Sequence, residues 1–511
     1  METVIVYSQT LFIFLLLCFS SLVSYFLFFK KPKGNFDLLP SPPAFPIIGH
    51  FHLLLAARIH MSFQKISSKY GPLLHLRIFN VPVILISSPA IAYEIFRAQD
   101  INISSRGVAA IDESLAFGSA GFVHAPYGDY WKFMKKLIVT KVLGPKAMEQ
   151  SRSVRNEELE LFYKTLLDKA MKKESVDFFE EAVRLVNNTL CTMTMGRSCS
   201  VENNEAGRVM ELVAELATLS KKFLLGKMLR NIFEKLGISP FKKKIMDVSR
   251  RFEELLDKII LEHEEKPEDT EGKDFMDLLL ADSRDENAEY KITKKHIKSL
   301  FTELFLGATD TSSTSTQWVM AEIINNPKIF QRVREEIDSV VGKTRLIQET
   351  DLPNLPYLEA VIKEALRLHP SVPFLVREFR DECTIGGFYV PNKTTLVVNV
   401  YAMMRDTDFW EDPDEFKPER FLASSRKEED VKERFFNYIP FGSGRRKCPG
   451  SNLGSIFIGT VIGMMVQCFD WEIKGGKVKM EDAPGRLFLT MAHPLRCTPL
   501  PRTLNPLPTS H

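Results

Sequence analysis

The chain has 511 residues, with 67 Lys and Arg against 65 Asp and Glu, a formal net charge of +2. That near-neutral balance lacks the basic excess of a nucleic-acid binder, so no nucleic-acid partner is expected. With 45% hydrophobic and 26% charged residues it is too polar to span a membrane many times, and it is long enough to bury a large core. The seven cysteines are scattered, odd in number and without a CxxC pair, which writes neither a disulfide framework nor a zinc site.

From Val4 to Phe29 no residue is charged. Roughly 26 residues at about 1.5 Å each make a helix near 39 Å, enough to cross a ~30 Å hydrocarbon layer with tilt. A cleaved leader would carry its positive charge ahead of a shorter apolar run. Here Glu2 precedes the run, and Lys30, Lys31 and Lys33 follow it. Downstream basic residues keep that side cytosolic, so residues 4–29 read as a single signal-anchor helix. Residues 30–46, basic and then proline-rich through Pro40-Ser41-Pro42-Pro43-Ala44-Phe45-Pro46, read as a stiff hinge. One large domain is expected over 47–500, and a disordered tail over 501–511.

Within that domain, Leu74–Ile78 and Val83–Ile86 are aliphatic and β-branched, separated around Asn80 and Pro82, and read as a strand pair. A second short β region is expected near Gly387–Val390 and Thr395–Val400. The remainder has mostly helical periodicity, so the fold class is mainly α with a small β portion. The charged stretches Glu262–Asp274 and Asp282–Glu289 read as solvated linkers or helix ends.

Three segments ask for more than a core. On a long helix expected from Thr293 to Asn325, Ile297, Leu300, Phe301, Leu304 and Ala308 trace a buried face. Gly307-Ala308-Thr309-Asp310-Thr311-Ser312-Ser313 then interrupts it. Hydroxyl side chains compete for backbone carbonyls, so the helix is expected to bend or open there, beside an acid and an alcohol able to relay protons. Packing of small residues is the plainer reading of the same stretch. Further on, Glu364 and Arg367 share one face of a helix opened by Pro356 and ended by Pro370, which alone reads as an ordinary ion pair.

The third segment is Phe441-Gly442-Ser443-Gly444-Arg445-Arg446-Lys447-Cys448-Pro449-Gly450, leading into an apolar run to Cys468. It puts Cys448 at a helix N-terminus, where the macrodipole and unpaired N–H groups favour a thiolate. Gly444 and Gly450 permit a close backbone approach, and Arg446 can pair with an anionic group. A lone thiolate without neighbouring ligands points to a metal that brings its other ligands along, as haem does.

This segment resembles the haem-binding loop FxxGxRxCxG of the cytochrome P-450 haem-thiolate monooxygenases, matching at Phe441, Gly444, Arg446, Cys448 and Gly450. Gly307, Asp310, Thr311 and Ser312 resemble the family's oxygen-activation motif, with Ala308 in place of the usual glycine. Glu364 and Arg367 match its ExxR element, and Arg420 of Pro418-Glu419-Arg420-Phe421 is the implied partner in a structural charge network. Trp131 and Lys135 stand where the family has WxxxR, with Lys in place of Arg, and Arg377 resembles its other propionate-binding position. The texture is similar to the plant A-type microsomal group. It is closest to a Brassicaceae subgroup of triterpenoid-tailoring oxidases that includes thalian-diol desaturase, with flavonoid-synthesising relatives next.

The resemblance implies the P-450 fold with one N-terminal transmembrane helix, in the endoplasmic reticulum membrane and facing the cytosol. It implies haem b, ligated by the thiolate of Cys448, and NADPH used indirectly through a membrane-bound reductase. Asp310 and Thr311 would relay protons to O2, and an apolar small molecule would be hydroxylated or desaturated. Substrate choice would reside in Asn102–Phe122, Leu212–Phe233, Phe301–Thr309, Ser371–Leu375 and Leu489–Met491, with Ala308 and Val372 on the pocket wall. A haem-thiolate isomerase or a haem-dependent sensor would not need the Asp310–Thr311 pair.

Overall fold

The aliphatic strand pair forms as its β-branched residues dictate. In a computed structural model, residues 11–22, 39–79, 81–106, 121–123, 125–199, 205–228, 242–266, 274–284, 291–422, 436–485 and 488–502 are described. The chain opens with α1 (Leu11–Leu22), then α2 (Ile59–Tyr70), β1 (Leu73–Ile78), β2 (Val81–Ile86), α3 (Pro89–Gln99) and α4 (Asp129–Leu137). Next come α5 (Pro145–Gln150), α6 (Arg152–Met171), β3 (Val176–Asp177), α7 (Phe178–Met195), α8 (Glu205–Met228), α9 (Lys242–Glu264) and α10 (Phe275–Ser283). The long α11 (Lys294–Asn325), α12 (Pro327–Val340) and α13 (Pro356–Leu368) precede β4 (Phe374–Glu378), β5 (Cys383–Ile385), β6 (Phe388–Val390) and β7 (Thr395–Asn399). The short α14 (Val400–Met403), α15 (Ser451–Cys468), β8 (Phe469–Glu472) and β9 (Arg496–Pro501) complete the order.

The largest sheet runs β1-β2-β7-β4, with β2 parallel to β7 and the other pairs antiparallel. Leu74 faces Leu85 and Leu76 faces Val83, all buried. Pro82 lies inside β2 and is tolerated because pairing to β7 begins only at Val83. The expected second β region divides between sheets: β6 pairs with β5, and β7 joins the main sheet. The two-residue β3 and the chain-terminal β8 and β9 form a third sheet, β3-β9-β8.

α11 is the axis of the molecule. Its Thr293 cap accepts from the His296 N–H while the His296 ring answers the Thr293 N–H, a reciprocal box that fixes the start. Ile297, Leu300, Phe301 and Phe305 enter one apolar cluster with α7, α8 and α9, while Trp318, Val319, Met320, Ala321 and Ile323 enter a second with α12, α13 and α15. Burying Phe301 and Phe305 completely contributes about 1.5–3 kcal/mol each. Trp318 donates to Leu489 O at 2.7 Å and stacks on His369 at 4.0 Å, whose ring bonds Glu322 at 2.7 Å. α15 is long and apolar enough to cross a membrane, yet most of it is packed inside the protein. Its Gly463 has no room for a side chain, since a Cβ would lie 2.5 Å from Ile347 Cδ1.

Several boundaries differ from those expected. α1 is described over 12 residues, about 18 Å at 1.5 Å each, inside the expected 4–29 span. Residues 4–10 and 23–29 of the expected span lie outside the described residues. The proline segment from Leu39 belongs to the domain. Leu39 is 3% exposed, Pro40 O accepts from His75 N at 2.9 Å, and Pro42 O bonds the His50 ring at 2.8 Å. Prolines lack donors but keep carbonyls, so an extended stretch docks through them.

At the other end β9 reaches Pro501, and Arg502 pairs with Asp338 at 2.6 Å; residues 503–511 lie outside the described residues. Of the stretch Glu262–Asp274, residues 262–264 end α9 and Asp274 caps α10, the helix ends expected there, while 267–273 lie outside the described residues. His263 and Asp274 are buried and bonded to one another at 2.9 Å.

Candidate active site and cofactor cradle

The thiolate loop is built by its own backbone. Cys448 N donates to Phe441 O at 3.0 Å, Lys447 N to Gly444 O at 3.0 Å, and Gly450 caps α15. The Phe441 ring lies beside Gly454 in the first turn of that helix. Gly444 has φ +68°, and a Cβ there would stand 2.4 Å from Asp100 Oδ1 and 3.0 Å from Phe96. The close approach at Gly444 is therefore made by α3 and its C-cap. Asp100 accepts from Arg445 N at 3.2 Å and from its guanidinium at 3.1 Å. Gly450 meets only the Cys448 sulfur, 3.9 Å from a Cβ position.

Cys448 remains exposed at the mouth of this loop. Its surroundings push the thiol above its ordinary value: confinement raises it, while the Gly450 N–H, Arg106 and Lys447 pull it down without prevailing. The helix-terminus argument favoured a thiolate outright; here desolvation wins. A metal reverses that balance, because a coordinating thiol is deprotonated by the ion itself.

Beside the loop lie two buried arginines, Arg446 and Arg377, and the half-buried Arg106. Arg446 donates to Ser104 O at 2.7 Å, to Phe122 O and Val123 O at 3.3 Å, and to Ala125 O. Its guanidinium sits 4.5 Å from the centre of the Trp131 ring. Arg377, 3% exposed, donates to Val376 O at 2.9 Å. Burial, then repulsion from Arg106 and Arg446, brings Arg377 down to about 9, and burial and Arg106 bring Arg446 down to about 10. Arg106 is likewise lowered by burial, with Glu303 and Cys448 opposing, and its Nε has no hydrogen-bond partner among the described residues.

The Trp131 indole N–H, 3% exposed, is also unpartnered there. Lys135 donates to Arg445 O and lies 5.1 Å above the Trp131 ring; burial lowers it, Asp100 opposes, and Arg446 and Arg445 add to the lowering. Mutually repelling guanidiniums and orphaned donors beside an accessible sulfur fit a group carrying two carboxylates and a metal. The donor set fits haem.

On the opposite wall, α11 packs across α15. It stays helical through Gly307–Ser313, so the expected opening does not occur. Thr311 instead donates back to Gly307 O at 2.7 Å, the i−4 bond that a helix accommodates. Thr309 donates to Asn187 Oδ1 at 2.9 Å. Ser371 donates to Thr311 O at 3.2 Å and bonds Ser315 at 2.8 Å, while Ser371 O accepts from Leu489 N at 3.0 Å. These bonds bring α11, the segment carrying half-buried Val372, and the 488–491 segment together. Asp310 and Ala308 are half-buried, and Ala308 packs on the first apolar cluster. Residues 107–120 and 229–233, parts of the other expected pocket segments, lie outside the described residues.

Glu364 and Arg367 are completely buried. Arg367 donates to both Glu364 oxygens at 2.7 and 2.8 Å, and to the carbonyls of Met404, Pro413 and Glu415. Arg420 Nε and Lys417 N reach the same Glu364 oxygen at 3.2 and 3.0 Å.

Sequence reasoning missed Arg106, Asp100 and Glu303. Glu303 had one signal, a carboxylate among Leu300, Phe301, Leu304 and Phe305 on a buried helix; Arg106 and Asp100 had none.

An exposed thiol before an apolar helix, a dianion cradle and a hydroxyl-bearing helix opposite together define a haem-thiolate oxidoreductase. The Cytochrome P450 family model matches residues 39–498. "Cytochrome P450 705A1" of Arabidopsis thaliana is 67% identical over 509 residues, 99% of each chain. "3,9-dihydroxypterocarpan 6A-monooxygenase" of Glycine max is 40% identical over 97% of this chain and 99% of its own length. A solved zebrafish cytochrome P450 with progesterone superposes with TM-score 0.74 at 24% identity, covering 87% of this chain and all of that one; that likeness concerns the fold. The chain belongs to the cytochrome P450 family. It is accordingly an oxidoreductase that incorporates oxygen from O2, with haem held by a cysteine thiolate and electrons from NADPH supplied through a reductase.

Proposed function

We propose that this enzyme hydroxylates or desaturates an apolar plant secondary metabolite, a triterpenoid, from a single-pass anchor in the endoplasmic reticulum membrane with its catalytic domain in the cytosol. The observation that carries the reading is the exposed Cys448 beside the orphaned Trp131 and Arg106 donors and the buried Arg377 and Arg446, at the start of the helix that packs against α11. When bound, haem supplies dioxygen activation and abstraction of hydrogen from an unactivated C–H bond.

The chain's own share is binding, orientation and proton control. Cys448 holds the iron, Phe441, Gly444 and Gly450 shape the loop around it, and Trp131, Lys135, Arg377 and Arg446 hold the carboxylates. Glu364, Arg367 and Arg420 fix the neighbouring loop. Ala308 and Val372 line the pocket. Thr311 Oγ donates to Gly307 O and keeps lone pairs to accept, so rotation of this hydroxyl passes on a proton brought by Asp310.

The triterpenoid reading draws on the similarity to 705A relatives and on the apolar pocket segments. A flavonoid or phenylpropanoid substrate is the second reading, favoured by the pterocarpan monooxygenase at 40% identity. The test is incubation of microsomes carrying the chain, a reductase and NADPH with triterpene and flavonoid panels. A triterpene that gains one oxygen or loses two hydrogens is expected; turnover of flavonoids alone overturns the assignment. NADPH-independent rearrangement, or no turnover at all, would instead favour an isomerase or a sensor.

A further inference from the structure

One half-buried carboxylate has no part in the chemistry above. Glu303 lies on α11 one turn before Gly307, among residues that otherwise build core. Its Oε2 accepts from Phe122 N at 2.8 Å and its Oε1 from Val123 N at 2.8 Å. The carbonyls of the same two residues, and of Ala125, accept from Arg446 on the thiolate loop. Phe122 is 7% exposed and stacks on Trp131, with centroids 5.5 Å apart and planes 16° from parallel. The main chain at Phe122 and Val123 is thus gripped from both sides, its N–H groups by α11 and its carbonyls, with that of Ala125, by the loop that carries Cys448.

A carboxylate suits the first grip because it offers two acceptors in one plane and no donor. A buried leucine, the usual occupant of such a helix face, would leave two N–H groups unpaired. The position is not a comfortable one for charge. Burial lifts the Glu303 carboxyl to about 7 against the pull of the two N–H groups, Arg106 and Arg446. Facing Tyr130 is raised to about 12 by burial and by the Glu303 charge. A fold that needed only packing here would not place an acid.

We propose that Glu303 is a positioning residue for the substrate pocket: with Arg446 it clamps the main chain at Phe122 and Val123 between the hydroxyl-bearing helix and the thiolate loop, fixing the wall that a bulky ligand meets. This rests on the reading of Cys448 and α11 as the two sides of the pocket.

The test uses the haem-loaded full chain and two probes that ligate iron through nitrogen, imidazole and the larger 4-phenylimidazole. In wild type the Phe122 and Val123 amides are expected to be protected from hydrogen exchange by these bonds. In Glu303→Gln one acceptor becomes a donor, so these amides exchange about tenfold faster, and 4-phenylimidazole binds about fivefold more weakly while imidazole is unaffected. Glu303→Asp keeps both oxygens on a shorter stem and restores part of each effect. Open amides in wild type overturn the proposal without any variant. So does Glu303→Gln with an intact thiolate–carbon monoxide band, unchanged exchange and unchanged size discrimination. If Glu303→Gln fails to load haem, wild-type exchange and Glu303→Asp decide. A wild-type protein without the thiolate band overturns the reading of Cys448 itself, and the pocket role falls with it.

Discussion

Replacing Glu364 by alanine isolates the buried charge network. Arg367 is completely buried and directs two of its bonds, at 2.7 and 2.8 Å, to Glu364; its other acceptors are three backbone carbonyls. Alanine leaves that guanidinium in the interior with no carboxylate, and strands Lys417 N and Arg420 Nε as well. Breaking a buried pair from one side costs about 3–5 kcal/mol. An unfolding entropy near 2.1 cal/mol/K per residue, over roughly 460 residues of matched domain, is about 1 kcal/mol/K, so the melting temperature should fall by about 3–5 °C.

Asp129→Ala is the control. Its pair with Lys132 is 77% and 57% exposed at the two side chains and is worth about 0–1 kcal/mol. The assay is loss of the thiolate–carbon monoxide band on heating, followed in parallel by circular dichroism. Removing Glu364 and Arg367 together should cost less than the sum of the single changes, because no charge is then stranded. If Glu364→Ala melts with wild type and with Asp129→Ala, the network does not hold the loop as described.

Three further outcomes follow from the geometry. Thr311→Ala should load haem normally but consume NADPH with less product per equivalent, while Thr311→Ser should keep most of the coupling; equal coupling in all three contradicts the hydroxyl relay. Gly444→Ala places a Cβ at φ +68° and 2.4 Å from Asp100 Oδ1, so backbone strain of about 1–2 kcal/mol adds to a displaced Asp100–Arg445 contact. It should lose haem faster on warming, and wild-type retention would refute the steric argument.

His263 offers a pH test. Its Nδ1 lies 2.8 Å from Ile259 O and its Nε2 2.9 Å from Asp274, so both nitrogens serve acceptors and the charged form is favoured. Burial opposes that form, yet Asp274 raises the group above its ordinary 6.5. A raised folded value means stability fully present below about pH 6.5 and lost as pH rises through the higher value. Melting between pH 6 and 9 should therefore decline more steeply in wild type than in His263→Gln; identical slopes would contradict the assignment.

What the sequence disclosed is what lies close together in it. Phe441 to Gly450 shapes itself through local backbone bonds, and Glu364 and Arg367 are three residues apart on one helix. β1 and β2 are joined by a short turn, so their aliphatic runs declare the pair. Glu303 meets its partner 181 residues away, and Asp100 meets Arg445 across 345, separations that no local pattern encodes. Two local arguments also failed for physical reasons. The hydroxyls of 309–313 did not open α11, since Thr311 bonds Gly307 O within the helix. The Cys448 thiol is pulled down by the Gly450 N–H at its helix start, as expected, but burial outweighs that pull. The proline segment misled through its composition: Pro40 and Pro42 keep their carbonyls, and these tie it to β1 and His50.

The central claim is that Cys448, exposed beside Arg106 and the buried Arg377 and Arg446, is the thiolate ligand of haem. The most direct measurement is to express the chain in microsomes, reduce it, add carbon monoxide and record the Soret region for wild type and Cys448→Ala. A strongly red-shifted band in wild type, absent from Cys448→Ala, is the predicted result. A haem band without that shift in wild type, or one that survives in Cys448→Ala, would contradict it.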